Sequence, residues 1–361
     1  MKIPTLKEFK YIFDQNLKKY IDEQILFYRS KAALFSFDIE VTHRYAQKFA
    51  GGGKRLRPYL SYLMYVIGGG KNIKAVMPIL VSIELLHFSF LVHDDIMDRA
   101  TKRHGVPTAH RYFETHARKN KADKESNHSG LSNAILLGDM LFFWSIDVFN
   151  RVRRPFTATR RDLVRDYYIA MVGETILGQL IDINLNLKEN VTLPEIYLKD
   201  YLKTANYTFI RPFQMGAALA GFHKKDQRFC KNLGTHLGYA YQLSDDLLDI
   251  VGDQLLNNKD IFADLKTGSN TFFTYCVRHR GSKKDIAELN RYSGNKTFSK
   301  KDVQKIRKLF LRTGAIEEGR KLIALHFGEA ERIVKKSRFS SKKQASFFKL
   351  IRYLRNRVNI F

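Results

Sequence analysis

Apolar residues recur at helical spacing through almost the whole chain, and few segments alternate as strands require. Thr5 to Glu8 form a capping box that opens an amphipathic run to about Tyr28. Thr192 to Glu195 form a second box, with Pro194 tolerated in the first helical turn. Only seven prolines interrupt 361 residues. The expectation is an all-α fold. Three polar stretches, 118–130, 280–301 and 335–343, read as loops. They join helical patterns without separating two compositions, so the chain reads as a single domain over 1–361. Its 44% hydrophobic residues suffice for a large core.

Composition narrows the setting. Two cysteines, Cys230 and Cys276, exclude a disulfide scaffold and suit a reducing cytoplasmic location. The first fifteen residues carry charges where a signal peptide needs an apolar run. The longest apolar stretch, 77–92, is broken by Glu84 and His87, so no membrane span is expected. The formal charge of +26 suits anionic partners. Lysines are scattered rather than interleaved with aromatics, which argues against nucleic acid.

Against that charge, Asp94, Asp95 and Asp98 crowd together in the apolar segment LVHDDIMD. Asp245, Asp246 and Asp249 repeat the spacing in YQLSDDLLDI. Acids make up 36 of 361 residues. Acid-acid-x-x-acid should then arise by chance about 0.4 times in such a chain. On a helix, Asp94 shares a face with Asp98 and Asp245 with Asp249, while Asp95 and Asp246 lie one step round. Each cluster offers hard oxygens that suit Mg²⁺. Two facing clusters would hold a diphosphate through shared metal ions. The bland alternative, a solvated acidic face, accounts for one cluster but poorly for two matched ones among leucines and isoleucines.

Basic residues supply a second candidate pocket. GGGKRLRP sets Gly51 to Gly53, whose backbone can approach an anion, beside Lys54, Arg55 and Arg57. It lacks the spacing of a nucleotide-binding P-loop. His87 lies two turns before Asp94 on the same helical face. Alone it reads as a core histidine.

The combination GGGKRLRP, ELLHFSFLVHDDIMD, GVPTAH, AILLGD, GQLID, KTANYTF and YQLSDDLLDIVGD, in that order, resembles the trans-type prenyl diphosphate synthases. That family condenses isopentenyl diphosphate with an allylic diphosphate. The resemblance runs over about residues 45–275, and more loosely to both ends. It implies an all-α bundle around a deep central cavity, usually in a homodimer, with three Mg²⁺ ions per site. By the same resemblance the six aspartates hold the metal, and Arg103, Lys203 and Lys259 hold the allylic diphosphate. Lys54, Arg57 and His87 correspond to the isopentenyl diphosphate pocket. Gln179, Asp182, Thr204 and Gln242 correspond to further residues lining the site.

Three positions depart from the family pattern. The pair before GVPTAH is Arg103 and His104 rather than two arginines, which implies a weaker or pH-sensitive grip on isopentenyl diphosphate. Gly268 is followed by Ser269 instead of lysine. Lys259 follows Asn258 instead of glycine. Phe90, four residues before Asp94, is a bulky plug and Ser89 a gap. The family's ruler then implies a short product, farnesyl or geranylgeranyl diphosphate, and the likeness of LVHDDIMD to geranylgeranyl synthases favours the latter slightly. A longer-chain synthase and a class I terpene synthase remain the competing readings. Basic segments such as 335–343 admit transient contact with an anionic membrane, or simply raise solubility.

Overall fold

The computed structural model describes residues 4–32, 36–103, 105–119, 124–152, 155–252, 261–295 and 297–357. It divides into two compact units, Met1–Arg161 and Asp162–Phe361. The first contains α1 (Leu6–Lys31), α2 (Ser36–Ala50), α3 (Leu56–Ile67), α4 (Ile73–Met97), α5 (Ala109–Lys119) and α6 (Ser126–Phe149). A two-residue hairpin pairs Lys102 with Pro107 and Arg103 with Val106, the only strands among the described residues. The expected capping box is present: Glu8 N donates to Thr5 Oγ1 at 3.2 Å, and Thr5 N returns a bond to Glu8 Oε2 at 2.7 Å.

α4 is the core of this unit, packed by α1, α3, α5 and α6. Ile79, Leu80, Ile83, Leu86 and Val92 are buried along it. By length and composition both α4 and α6 could cross a membrane. α4 instead spends its apolar surface inside the unit, as an all-round apolar helix must. α6 packs against α4 and α5 and leaves Leu136 and Phe143 exposed.

The second unit takes in most of α7 (Ala158–Leu185), then α8 (Leu193–Asp200), a π-helical stretch (Tyr201–Ile210), α9 (Arg211–Leu219) and α10 (Lys224–Val251). There follow α11 (Ala263–Thr267), α12 (Phe272–Arg280), α13 (Lys283–Tyr292), α14 (Lys300–Arg312), α15 (Ala315–Lys335) and α16 (Ser341–Arg355). The capping box at Thr192 is also present, with Thr192 N bonded to Glu195 Oε2 at 2.9 Å. Glycines set the close crossings here. A Cβ at Gly178 would lie 2.6 Å from Lys203 N, and one at Gly238 would lie 2.3 Å from the Ala205 side chain.

The loop expectations need correction. Within 280–301 lies α13, opened by a Ser282–Asp285 capping box and seated by Leu289 and Tyr292. Two buried side chains on a helix of otherwise polar surface are too sparse a periodicity to stand out. The stretch 118–130 is shorter than expected, because α5 reaches Lys119 and α6 starts at Ser126. Gly130 lies inside α6, where a Cβ would meet His110 O at 2.5 Å, so this glycine serves helix packing rather than a turn. The stretch 335–343 is a turn only between α15 and α16.

Candidate active site

In the first unit the acids sit where α4 runs out. Asp95 faces inward and is 1% exposed, Asp94 is half-buried, and Asp98 is exposed at the C-cap. This is the one-step rotation that the helix spacing predicts. The hairpin brings Arg103 back over them. Its Nε and Nη2 donate to Asp95 Oδ1 at 2.8 and 2.7 Å, and Nη2 lies 3.6 Å from Asp94 Oδ2. Asp95 Oδ2 is buried and has no hydrogen-bond partner. Burial raises the Asp95 carboxyl above its usual range, although Arg103 pulls the other way. Tyr45, which the sequence did not single out, is buried close enough to feel the Asp95 charge; burial first and that charge second push its hydroxyl upward.

Beside the acids, the AILLGD motif acts through its glycine. A Cβ at Gly138 would fall 2.1 Å from His93 Nε2, so only glycine lets α6 approach the residue before Asp94.

The predicted basic pocket separates into two kinds of residue. Arg57 Nη1 lies 3.0 Å from His87 Nε2, joining α3 to α4. A guanidinium only donates, so Nε2 accepts and the imidazole proton belongs on Nδ1. Lys54 is exposed on the preceding loop. Arg55 turns away from any anion site. It is 1% exposed and donates to Asp14 Oδ1 at 2.6 Å, to Glu84 Oε1 at 2.9 Å and to the Ala50 carbonyl. Ser89 is fully buried and Phe90 half-buried on α4.

In the second unit α10 carries the other acids. Thr204 Oγ1 donates to Gln242 Oε1 at 2.6 Å, and Gln242 Nε2 donates to Asp246 Oδ1 at 2.7 Å. Asp246 Oδ2 is buried without a partner, matching Asp95 in the first unit. Asp249 accepts from the amides of Ala263 and Asp264 at 2.8 and 3.1 Å, capping α11. Asp245 accepts from Arg357. Lys203, on the π-helical stretch, donates to Asp182 Oδ2 at 2.7 Å. Wide π turns often mark functional sites, and here they place Lys203 and Thr204 one after the other over α7 and α10. Gln179 is half-buried on α7. His104 and Lys259 lie outside the described residues.

Three residues of this unit escaped the sequence reading. Lys199 is buried, with Asp182 at 3.5 Å, Asp200 at 3.4 Å and the Asn270 carbonyl at 3.1 Å. Asp264 lines a small cavity with Asp246 and Asp249, floored by Ile250, Phe262 and Phe310. Arg357 is the third. Only the distance in sequence from the motif hid them. Burial, then the neighbouring acids, push the carboxyls of Asp246 and Asp249 well above their usual range, and burial lifts Asp264 to about 6. Lys199 and Lys203 hold Asp182 low, against its burial.

Chemically, both clusters present under-satisfied hard oxygens. Their two orphaned oxygens, Asp95 Oδ2 and Asp246 Oδ2, fit a divalent cation such as Mg²⁺. Among the described residues no three His, Cys, Asp or Glu side chains already converge into a metal cage.

Comparison with known proteins gives a consistent result. Residues 40–310 match the family described as polyprenyl synthetase. The short chain isoprenyl diphosphate synthase of Methanocaldococcus jannaschii is 26% identical over 293 residues, 81% of each chain. The geranylgeranyl diphosphate synthase of Sulfolobus acidocaldarius is 28% identical over 71% of this chain and 72% of its own. A crystal structure of geranylgeranyl pyrophosphate synthase from Corynebacterium glutamicum, complexed with isoprenyl diphosphate and magnesium, superposes with a TM-score of 0.90. It is 27% identical and covers 98% of this chain and 100% of that one. Matched over most of its length and folded as the same helical bundle, the chain belongs to the polyprenyl synthetase family, the trans-prenyltransferases that build prenyl diphosphates.

Proposed function

We propose that this prenyltransferase is Mg²⁺-dependent and makes a short trans-prenyl diphosphate, geranylgeranyl diphosphate before farnesyl diphosphate. The observation that carries the metal reading is the matched pair of buried, partnerless carboxylate oxygens on Asp95 and Asp246. Asp94, Asp95 and Asp98, with Asp245, Asp246 and Asp249, are the proposed ligands, for three ions as the family resemblance implies. Bound Mg²⁺ supplies positive charge that stabilises the diphosphate as the allylic C–O bond breaks.

The chain's own groups add to that. Lys203, Arg103 and Lys259 are proposed to bind the allylic diphosphate, which requires Lys203 and Arg103 to share or exchange their present carboxylates. Lys54, Arg57, His87 and His104 are proposed to hold isopentenyl diphosphate, with Arg57 and His87 already paired. Gln242 and Thr204 fix the Asp246 carboxylate through a hydrogen-bonded chain. The reaction then needs no side-chain nucleophile: the alkene of isopentenyl diphosphate attacks the allylic carbon, a C–C bond forms, and the released proton passes to the departed diphosphate. Ser89 and Phe90 are the proposed determinants of product length, Phe90 lying one helical turn before Asp94. Names of relatives such as the Sulfolobus acidocaldarius enzyme support the twenty-carbon product.

A single catalytic domain is proposed, since the family match runs through both units. Exposed Leu136 and Phe143 on α6, and Ile176 and Leu180 on α7, support a homodimer. Two free, buried thiols suit a cytoplasmic enzyme. Transient contact with anionic membrane is proposed through the basic residues around 335–343.

The test is incubation with isopentenyl diphosphate and dimethylallyl, geranyl or farnesyl diphosphate, with Mg²⁺ or with a chelator. A Mg²⁺-dependent twenty-carbon product is expected. No condensation with any primer would overturn the reading; condensation that survives the chelator would remove the metal from it.

A further inference from the structure

Arg357 lies two residues past the end of α16, far in sequence from any motif, yet its side chain reaches the second acid cluster. α16 is firmly seated: Phe347, Ile351 and Leu354 are buried, and Arg355 bonds Glu331 at 3.0 Å. The chain then turns, with Arg357 N donating to Leu354 O at 3.3 Å. This directs the guanidinium along α10, where Tyr241 and Asp245 share a face, four residues apart. Nη2 donates to Asp245 Oδ1, and the guanidinium lies 4.3 Å from the Tyr241 ring centroid. The side chain is 12% exposed, and Nη1 is buried with no partner.

We propose that Arg357 is a tethered counter-cation for Asp245, occupying the second cluster until a divalent metal displaces it. The inference rests on the metal reading of that cluster given above. Asp245 differs from its neighbours in the kind of partner it has. Asp246 is hydrogen-bonded by a neutral amide and Asp249 by backbone N–H groups, with Lys199 adding its charge to Asp246 at longer range, and neither bonded partner repels an incoming dication. Arg357 does. The two oxygens of one carboxylate are too close together for a guanidinium and a dication to share without repulsion. The guanidinium is held by partners on one helix alone, the Asp245 carboxylate and Tyr241 through its ring and hydroxyl, while Nη1 is unsatisfied. The turn after α16 thereby sets the metal threshold of the second cluster, and Arg357 is a positioning residue that acts through Asp245.

The experiment titrates the full chain with Mn²⁺ alone, reading free Mn²⁺ by electron paramagnetic resonance. An Asp94→Asn, Asp95→Asn, Asp98→Asn background silences the first cluster. Arg357→Gln is expected to bind Mn²⁺ about tenfold more tightly than the parent, the effect of removing one competing charge at close range. Arg357→Lys keeps the charge and is expected to stay within about threefold of the parent. Tyr241→Leu removes the ring under the guanidinium and is expected to shift affinity the same way by less, which keeps a readout should Arg357→Gln fold poorly. Unchanged or weaker binding in Arg357→Gln, with Asp245→Asn weakening the parent, would overturn the proposal and leave the metal reading intact. Parent-like binding in Asp245→Asn would sink the metal role of that residue, and the proposal with it.

Discussion

Arg55 and Arg57 sit two residues apart in GGGKRLRP, and their replacement should have opposite consequences. Arg55→Met leaves Glu84, 2% exposed, without its cation, and strands the Ala50 carbonyl that the guanidinium also bonds. Breaking a buried pair from one side costs about 3–5 kcal/mol, because the remaining charge is uncompensated. The lost bond to Asp14 adds little, since that carboxylate is partly open to water. The backbone contributes nothing to the difference: residue 55 stays at φ 55° with either side chain. At about 2.1 cal/mol/K of unfolding entropy per residue, a chain of 361 residues shifts by about 1.3 °C per kcal/mol, so the melting temperature should fall by roughly 5 °C. Adding Glu84→Leu removes the orphaned charge and should recover more than half of the loss, as buried pairs replaced from both sides often do.

Urea titration of the metal-free protein, followed by circular dichroism, measures both steps. Arg57→Met is the internal control. Arg57 is half-buried and bonds His87, so stability should stay within about 1 kcal/mol while KM for isopentenyl diphosphate rises. The reasoning fails if Arg55→Met unfolds within about 1 kcal/mol of wild type, or if the double variant is no more stable than the single one.

Asp246→Asn should raise the melting temperature in chelator by a few degrees and abolish the further rise on adding Mg²⁺. The Asp246 carboxyl is held above its usual 3.8, so ionising it weakens the metal-free fold progressively as pH climbs past that value. His326 should give the opposite pH limb. Burial, then His236 with its Nδ1 3.0 Å away, lower His326 to about 4 against the opposing pull of Glu329. Its stability contribution is therefore complete above about 6.5 and is lost as pH falls toward 4. Discounted for partial exposure, His326→Asn should flatten that limb by about 1–2 kcal/mol, read from urea midpoints at pH 7 and pH 4.5. Phe90→Ala should lengthen products by one or more five-carbon units and Ser89→Phe should shorten them. Chromatography of dephosphorylated products decides, and unchanged length in both variants would remove this turn of α4 as the ruler.

The bundle was legible because amphipathic helices leave a strong period, which α1 and α10 carry, while α4 shows as one long apolar run. The six aspartates were legible because crowded acids in apolar helices are improbable without a task. Other features left no local signal. α13 shows only two buried side chains, so its polar surface read as loop. The π-helical turns at 201–210 follow from packing against α7 and α10, which no window of sequence contains. Lys199, Asp264 and Arg357 join the second acid cluster only through tertiary contacts. Arg357 is the extreme case, 112 residues from the carboxylate it holds.

The motifs that carried the resemblance prove to be mixtures of chemistry and packing. In GGGKRLRP, Arg55 is a buried strut linking Asp14, Ala50 and Glu84, while its neighbours Lys54 and Arg57 stay accessible to an anion. In AILLGD, Gly138 serves by admitting His93 to within reach of the Ile135 carbonyl at 3.3 Å, directly beside Asp94. In GQLID, Gly178 brings α7 onto the backbone of Lys203, and Asp182, one turn later, holds that lysine's ammonium. Each motif thus pairs a residue fit to meet a charged ligand with one that fixes the backbone under it. The acids themselves are left unsatisfied: Asp95 and Asp246 each keep a bare buried oxygen. A fold selected for stability alone would replace them with leucine or asparagine. Packing that holds these bare oxygens in place suits the proposed metal-diphosphate site, because a preorganised carboxylate needs no rearrangement when a cation binds.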